Sequence, residues 1–219
     1  MAILKVKASE LGDRWDVRFH ASPPISIPEP SVALQEIVTI RRGYSARTIE
    51  YVVQGRRGNV VPYLRITDLR NRTVSGTLVR YILNKSDIPR TARVNANEVL
   101  FSVAGTIGKV ALVPAQFIGA VASGQLVILS PRDGRVHPEY LVRVLEAGYF
   151  REQLARVQTG SVIRHLSITE LKRRRLTLPN KSTQIEIVEK LRNLEAEYEA
   201  SIRTQNEIRN QIDSVLGDA

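Results

Sequence analysis

From Ile185 to Val215, apolar side chains recur mostly three or four residues apart: Ile185, Val188, Leu191, Leu194, Tyr198, Ile202, Ile208, Ile212 and Val215. Residues so spaced share one face only in an α-helix. Ser201 and Gln205 are polar interruptions of that stripe. Thr183-Gln-Ile-Glu186 has the form of a capping box and Gly217 is a natural stop, so the spacing predicts one helix over Thr183–Leu216. About 33 residues at 1.5 Å each span roughly 50 Å. That exceeds the diameter of a compact head of about 180 residues, so much of the helix must project. A projecting apolar stripe needs a partner. The competing reading is a helix folded back on its own domain.

Charge divides the chain at the same place. The whole sequence carries 32 Lys/Arg against 22 Asp/Glu, net +10, with a pI near 10.2. Residues 181–219 hold five basic and eight acidic side chains, net −3, and subtracting them leaves 27 and 14 on residues 1–180, net +13. The positive field belongs to the head, which points to a polyanion as partner. There is no cysteine, so disulfides and thiolate metal sites are excluded. No stretch approaches the roughly 18 apolar residues of a membrane span, and the N-terminus lacks a secretion signal, so a cytoplasmic protein is expected.

Residues 1–30 read as an irregular segment, with Pro23, Pro24, Pro28 and Pro30 opposing regular structure. Ser31 caps an expected short helix through Val32, Leu34, Ile37 and Val38 that stops before Gly43. From Val60 to Pro131 the pattern is short β-branched runs: Val60–Ile66, Val99–Val103, Lys109–Val113 and Gln125–Leu129. Gly105-Thr-Ile-Gly108 reads as a hairpin loop. A helix from Pro138, with Leu141, Leu145 and Tyr149 on one face, is closed by Gly160. Ser167-Ile-Thr-Glu170 caps a further short helix, and Leu176–Pro179 is an extended exit. The expected class is α+β: an irregular segment (1–30), a β-rich recognition domain with short helices (31–180), and a long helix (181–219).

A catalytic centre is not found. His20, His137 and His165 have no zinc spacing. Gly105-Thr-Ile-Gly-Lys109 is not a phosphate loop, since Val103 replaces its first glycine and Val110 its Ser/Thr. Pro23-Pro24, between Ser22 and Ile25, is not the Asn/Asp-Pro-Pro-aromatic motif of a DNA methyltransferase. No cofactor and no metal are expected.

Binding residues are more numerous. Arg41, Arg42, Tyr44 and Arg47, then Arg56 and Arg57, surround Gly43 and Gly58, where guanidinium groups can fork onto guanine edges or phosphates. Arg65 and Arg70 flank the Thr67-Asp68 turn, and Lys109 ends the hairpin loop. Thr159-Gly160-Ser161 with Arg164 offers small donors ahead of a helix, a seat for phosphate. Aromatics are only 5% of residues, which argues against stacking on single strands and favours duplex DNA.

An ordered series of motifs then resembles one family, the specificity subunits of type I restriction–modification systems, in a half-length form with one target-recognition domain. The series is Leu34-Gln-Glu-Ile37 through Arg41-Arg-Gly43, Val61-Pro-Tyr-Leu-Arg-Ile-Thr-Asp-Leu69, Val99-Leu-Phe-Ser102, and Gly105-Thr-Ile-Gly-Lys-Val-Ala111. It continues with Thr159-Gly-Ser161, His165-Leu-Ser167, Leu178-Pro179 and Gln184, covering residues 31–216. Where the family often has Gly-Asp before the strand leading to the hairpin, this chain has Asn97-Glu98. Asn can also take the left-handed turn.

The resemblance implies a non-catalytic chain that reads duplex DNA and presents it to methyltransferase subunits, which carry the cofactor. A restriction subunit is a further candidate partner. A full-length subunit has two recognition domains and two long helices, so this chain would pair its helix antiparallel with a second copy, through Val188, Leu191, Leu194, Tyr198, Ile202, Ile208, Ile212 and Val215. The homodimer would then read an interrupted palindrome. Two other readings are the DNA-reading tail of a fused methyltransferase–nuclease, against which Met1 and the clean helix end weigh, and a coiled-coil adaptor that binds no DNA.

Overall fold

The computed structural model describes residues 24–47, 51–52, 59–75, 80–157 and 165–217. The first elements are β1 (Ser31–Ala33), α1 (Leu34–Ile37) and β2 (Val38–Arg42). This corrects the helix expected from a Ser31 cap toward Gly43. Val38, Thr39 and Ile40 are β-branched and join a sheet, so tertiary pairing overrides the local helical spacing. The single helical turn starts at Ala33 instead, whose N–H donates to Glu36 Oε1 at 2.8 Å.

The four runs expected between Val60 and Pro131 become β4 (Val60–Leu64), β8 (Val99–Ser102), β9 (Val110–Leu112) and β11 (Leu126–Pro131), and five further strands join them: β3 (Tyr51–Val52), β5 (Leu69–Arg70), β6 (Thr73–Val74), β7 (Arg80–Leu83) and β10 (Val121–Ala122). Six lie in one sheet in the order β2-β11-β8-β9-β6-β5, and four in another in the order β10-β4-β7-β3. β8 and β9 are an antiparallel hairpin, and its loop glycines Gly105 and Gly108 take φ of 67° and 87°. Those are angles that side-chain-bearing residues adopt at a cost.

Alternation along the central strands builds two cores from one sheet. Val99, Phe101, Val127 and Leu129 point to the face covered by Leu34, Ile37, Leu141, Leu145 and Phe150. Leu100, Leu126 and Ile128 point the other way, against Leu64, Leu69, Val74, Val94 and Ala122. Both faces are covered, which is why these strands read as continuous apolar runs.

The helices are α2 (Pro138–Leu145), α3 (Gly148–Val157) and α4 (Ile168–Arg173), then β12 (Arg175–Thr177) and α5 (Lys181–Gly217). One helix from Pro138 toward Gly160 was expected; the chain breaks at Glu146–Ala147, and Tyr149 falls on α3. Its hydroxyl accepts from Thr177 N at 3.0 Å, which requires that turn of direction. The Ser167 cap forms as expected, accepting Glu170 N–H at 3.1 Å. The last helix starts two residues before the expected Thr183, because Asn180 Oδ1 accepts Thr183 N–H at 3.0 Å and is the cap. Its 37 residues span roughly 55 Å.

The base of α5 is fastened to the head. β12 pairs with β1, so both ends of the domain meet there. Gln184, fully buried, accepts from His137 N at 2.8 Å and donates to Arg135 O and Pro179 O at 2.9 and 2.8 Å. Val188, 2% exposed, joins the main core. It is therefore not available to a partner, which corrects its assignment to the pairing seam. Leu191 is half-buried, and from residue 196 to 214 every residue is exposed. No described helix is long and apolar enough to cross a membrane.

Candidate nucleic-acid interface

The described cations selected from the sequence fall into three environments. Arg41 is structural. Its Nη1 donates to Thr91 O at 2.8 Å and Arg93 O at 3.1 Å, and its Nη2 binds Glu98. Glu98 is 5% exposed and also accepts from Asn95 N and Ser130 Oγ, both at 2.7 Å. The donors assigned to DNA at Arg41 are spent inside the fold. Arg65 is likewise held by Asp68, through Nε at 3.3 Å and Nη2 at 3.0 Å.

The second environment is the end of β2 and the loop after it. Arg42 is exposed. Gly43 lies so close to the neighbouring backbone that a Cβ there would sit 2.0 Å from Ser123 O, so only glycine lets the chain pass. Tyr44 N then donates to Ala122 O at 2.8 Å, and Tyr44 O accepts from Tyr63 Oη at 2.8 Å. This lacing to the small sheet leads the exposed Arg47 out of the fold.

The third environment is the opposite edge of the large sheet. Arg70 on β5 and Lys109 line one groove of about 540 Å³ with Asn71, Arg72 and Glu146. Five inter-strand steps of about 4.8 Å separate β2 from β5, so Arg42 and Arg70 are roughly 24 Å apart along the sheet. That distance is about seven base pairs at 3.4 Å. Among the described residues, the selected cations not held inside the fold thus fall at two edges rather than in one cluster. Arg56, Arg57, Ser161 and Arg164 lie outside the described residues. His165, next after Arg164, bridges Ala104 of the hairpin.

On α5 the seam beyond the head is bare. Leu194 is 51% exposed, Tyr198 69%, Ile202 38%, and Ile208 and Ile212 are also exposed. The Val215 side chain lies outside what the structure describes. Leu216, absent from the sequence selection, is exposed too.

Sequence reasoning missed the polar junction where α5 leaves the head. Glu195 accepts from Arg143 Nη2 at 2.8 Å and also binds Arg143 Nη1 and Arg72 Nη2. Arg192 forks onto Glu139, with Nε to Oε1 at 2.9 Å. Arg143 holds the Glu195 carboxyl below the usual carboxylate range, against burial, with Arg72 adding to it. Burial alone would push Glu139 up, but Arg192 and Arg143 outweigh it and hold it low. Among the described residues no group of acidic or histidine side chains could hold a metal ion.

The sequence matches the family model for the type I restriction modification DNA specificity domain over residues 30–210. No curated protein matches the chain. Among solved structures the fold is similar to the HsdS subunit from Thermoanaerobacter tengcongensis, with TM-score 0.62 at 20% identity over 84% of this chain and 42% of that one. It is also similar to a chain from a structure of the type I R-M system addressing complex assembly and conformational transition, with TM-score 0.67 at 20% identity, covering 88% and 45%. A third likeness, TM-score 0.55 at 10% identity, is to the type IIG restriction endonuclease BpuSI, covering 74% of this chain and 26% of that one. The chain thus spans less than half the length of each of these proteins.

Proposed function

The chain belongs to the type I restriction modification DNA specificity domain family, and from that premise we propose that it reads one duplex half-site with its head and pairs with a second copy through α5. The pair then recognises a bipartite site and presents it to DNA methyltransferase subunits, which carry the cofactor and the chemistry. A restriction subunit is a further partner of the same assembly. The chain itself performs no catalytic step.

The observation that carries this reading is the division between head and tail. The +13 charge lies on residues 1–180, while α5 leaves the head after about four turns with its apolar side chains bare. Leu194, Tyr198, Ile202, Ile208 and Ile212 would lie along an antiparallel seam between two copies. The bare part, about 22 residues, measures roughly 33 Å. Two heads at opposite ends of such a pair stand about one DNA turn apart, since a turn is roughly 34–36 Å. That is shorter than the full length of the helix suggests, because its first turns belong to the head.

Electrophoretic shift of duplex pools at fixed salt tests the DNA half of this reading. Replacing Arg42, Arg47, Arg70 and Lys109 together by Glu is expected to weaken duplex binding at least about a hundredfold. Unchanged affinity in a folded variant contradicts it.

A further inference from the structure

Asn71 and Arg72 form the two-residue turn between β5 and β6, with φ of 48° and 62°. A hairpin turn with positive φ at both central positions favours Asn-Gly, so this chain carries an arginine where glycine fits best. The side chain has an evident use. Arg72 Nη1 reaches Glu146 Oε2 at 3.3 Å, and Nη2 binds Glu195 on α5. The same Glu195 carboxylate is forked by Arg143 of α2. One turn earlier Arg192 of α5 is forked on Glu139 of α2.

Helix α5 is therefore gripped from two directions, by a β-turn and by a helix, at the last point before it becomes bare. A single exposed ion pair would hold little, but a bidentate fork from Arg143, with Arg72 bridging the same carboxylate to Glu146, restricts geometry as well as distance. Leverage makes this consequential. A swing of about 10° at the base of a roughly 33 Å arm moves its far end about 6 Å, close to two base pairs.

We infer that Arg72, Arg143 and Glu195 are positioning residues for specificity: they set the angle at which α5 leaves the head, and through it the separation of half-sites the pair accepts. This rests on the paired-helix reading above. Arg72→Gly separates the role from folding, because it relieves the turn while removing the grip. Glu195→Gln removes the shared carboxylate without changing its shape.

The experiment uses two readouts. Since the chain has no cysteine, spin labels on Arg151→Cys in α3 and Asn210→Cys in α5 report the head-to-helix distance, with labelled chain diluted in unlabelled chain. Wild type is expected to give one narrow distribution, and Arg72→Gly and Glu195→Gln to broaden it about twofold, while Arg72→Gly melts no lower than wild type. The second readout is binding to duplexes carrying the selected half-sites at separations graded by one base pair. A wild-type preference of about tenfold for one separation should fall below about threefold, with the half-site sequence unchanged. Distributions that stay narrow in both variants overturn the inference. Broadening without any change in separation overturns its specificity part. If wild type selects no paired half-sites, the paired-helix reading falls and the separation claim with it, whereas the distance readout still judges the grip.

Discussion

The Arg41 guanidinium ends on Glu98, a carboxylate only 5% exposed that is also bound by Asn95 and Ser130. Asn97, just before it, takes φ of 61° and turns the chain so that Glu98 points inward. The pair ties β2, the start of β8 and the segment near Arg93 together. Glu98→Ala leaves Arg41 with a half-buried charge, so we expect a loss of about 3 kcal/mol of stability in urea unfolding. Duplex affinity per folded molecule should be unchanged, which distinguishes Arg41 from the cations at the groove.

Arg70 and Lys109 share a groove at the far edge of the sheet. Neutralising both, as Arg70→Gln with Lys109→Gln, should lower the slope of log affinity against log salt by about 2, one for each lost phosphate contact. The melting temperature should stay within about 2 °C. A slope equal to wild type removes these two side chains from the interface.

Val188 and Ile202 lie on one helix but have different duties. Val188→Ala opens space in the main core and should cost about 2 kcal/mol. Ile202→Glu sits on the bare part of α5, so the head should melt as before while sedimentation shows a monomer in place of a dimer. A wild-type chain that sediments as a monomer at every concentration contradicts the pairing.

Glu195 and Glu139 are held below the ordinary value of 4.5 by their arginines. Groups depressed in the folded state bind fewer protons there than when unfolded. Their contribution is therefore fully present above about pH 4.5 and is lost as pH falls through the lower folded values. The stability difference between wild type and Glu195→Gln should be constant from pH 7 to 5 and shrink toward pH 3. A difference that grows on acidification contradicts this linkage.

Strong local signals were readable in the sequence. The Ser167 cap, the Gly105–Gly108 hairpin, the β-branched runs that form β8 and β11 and the long apolar stripe each repeat one physical rule over neighbouring residues. Failures came where a distant contact decides. Val38 continues the helical spacing of Leu34 and Ile37 but is claimed by β11. Val188 belongs to the stripe by spacing, yet the head covers the first turns of α5. Nothing local marks Arg41 as a partner for Glu98, 57 residues away, or Arg72 for Glu195, 123 residues away. The one readable clue to the latter was Asn-Arg in a tight turn whose second position suits glycine.

Site-resolved sequencing of DNA methylation in cells with and without this protein and the methyltransferase proposed as its partner bears most directly on the central claim. The account predicts new methylation at two short motifs related by a dyad and held at one separation, near a single helical turn. Methylation that does not depend on the protein, or that follows one contiguous motif, would contradict a head that reads half-sites and a helix that pairs them.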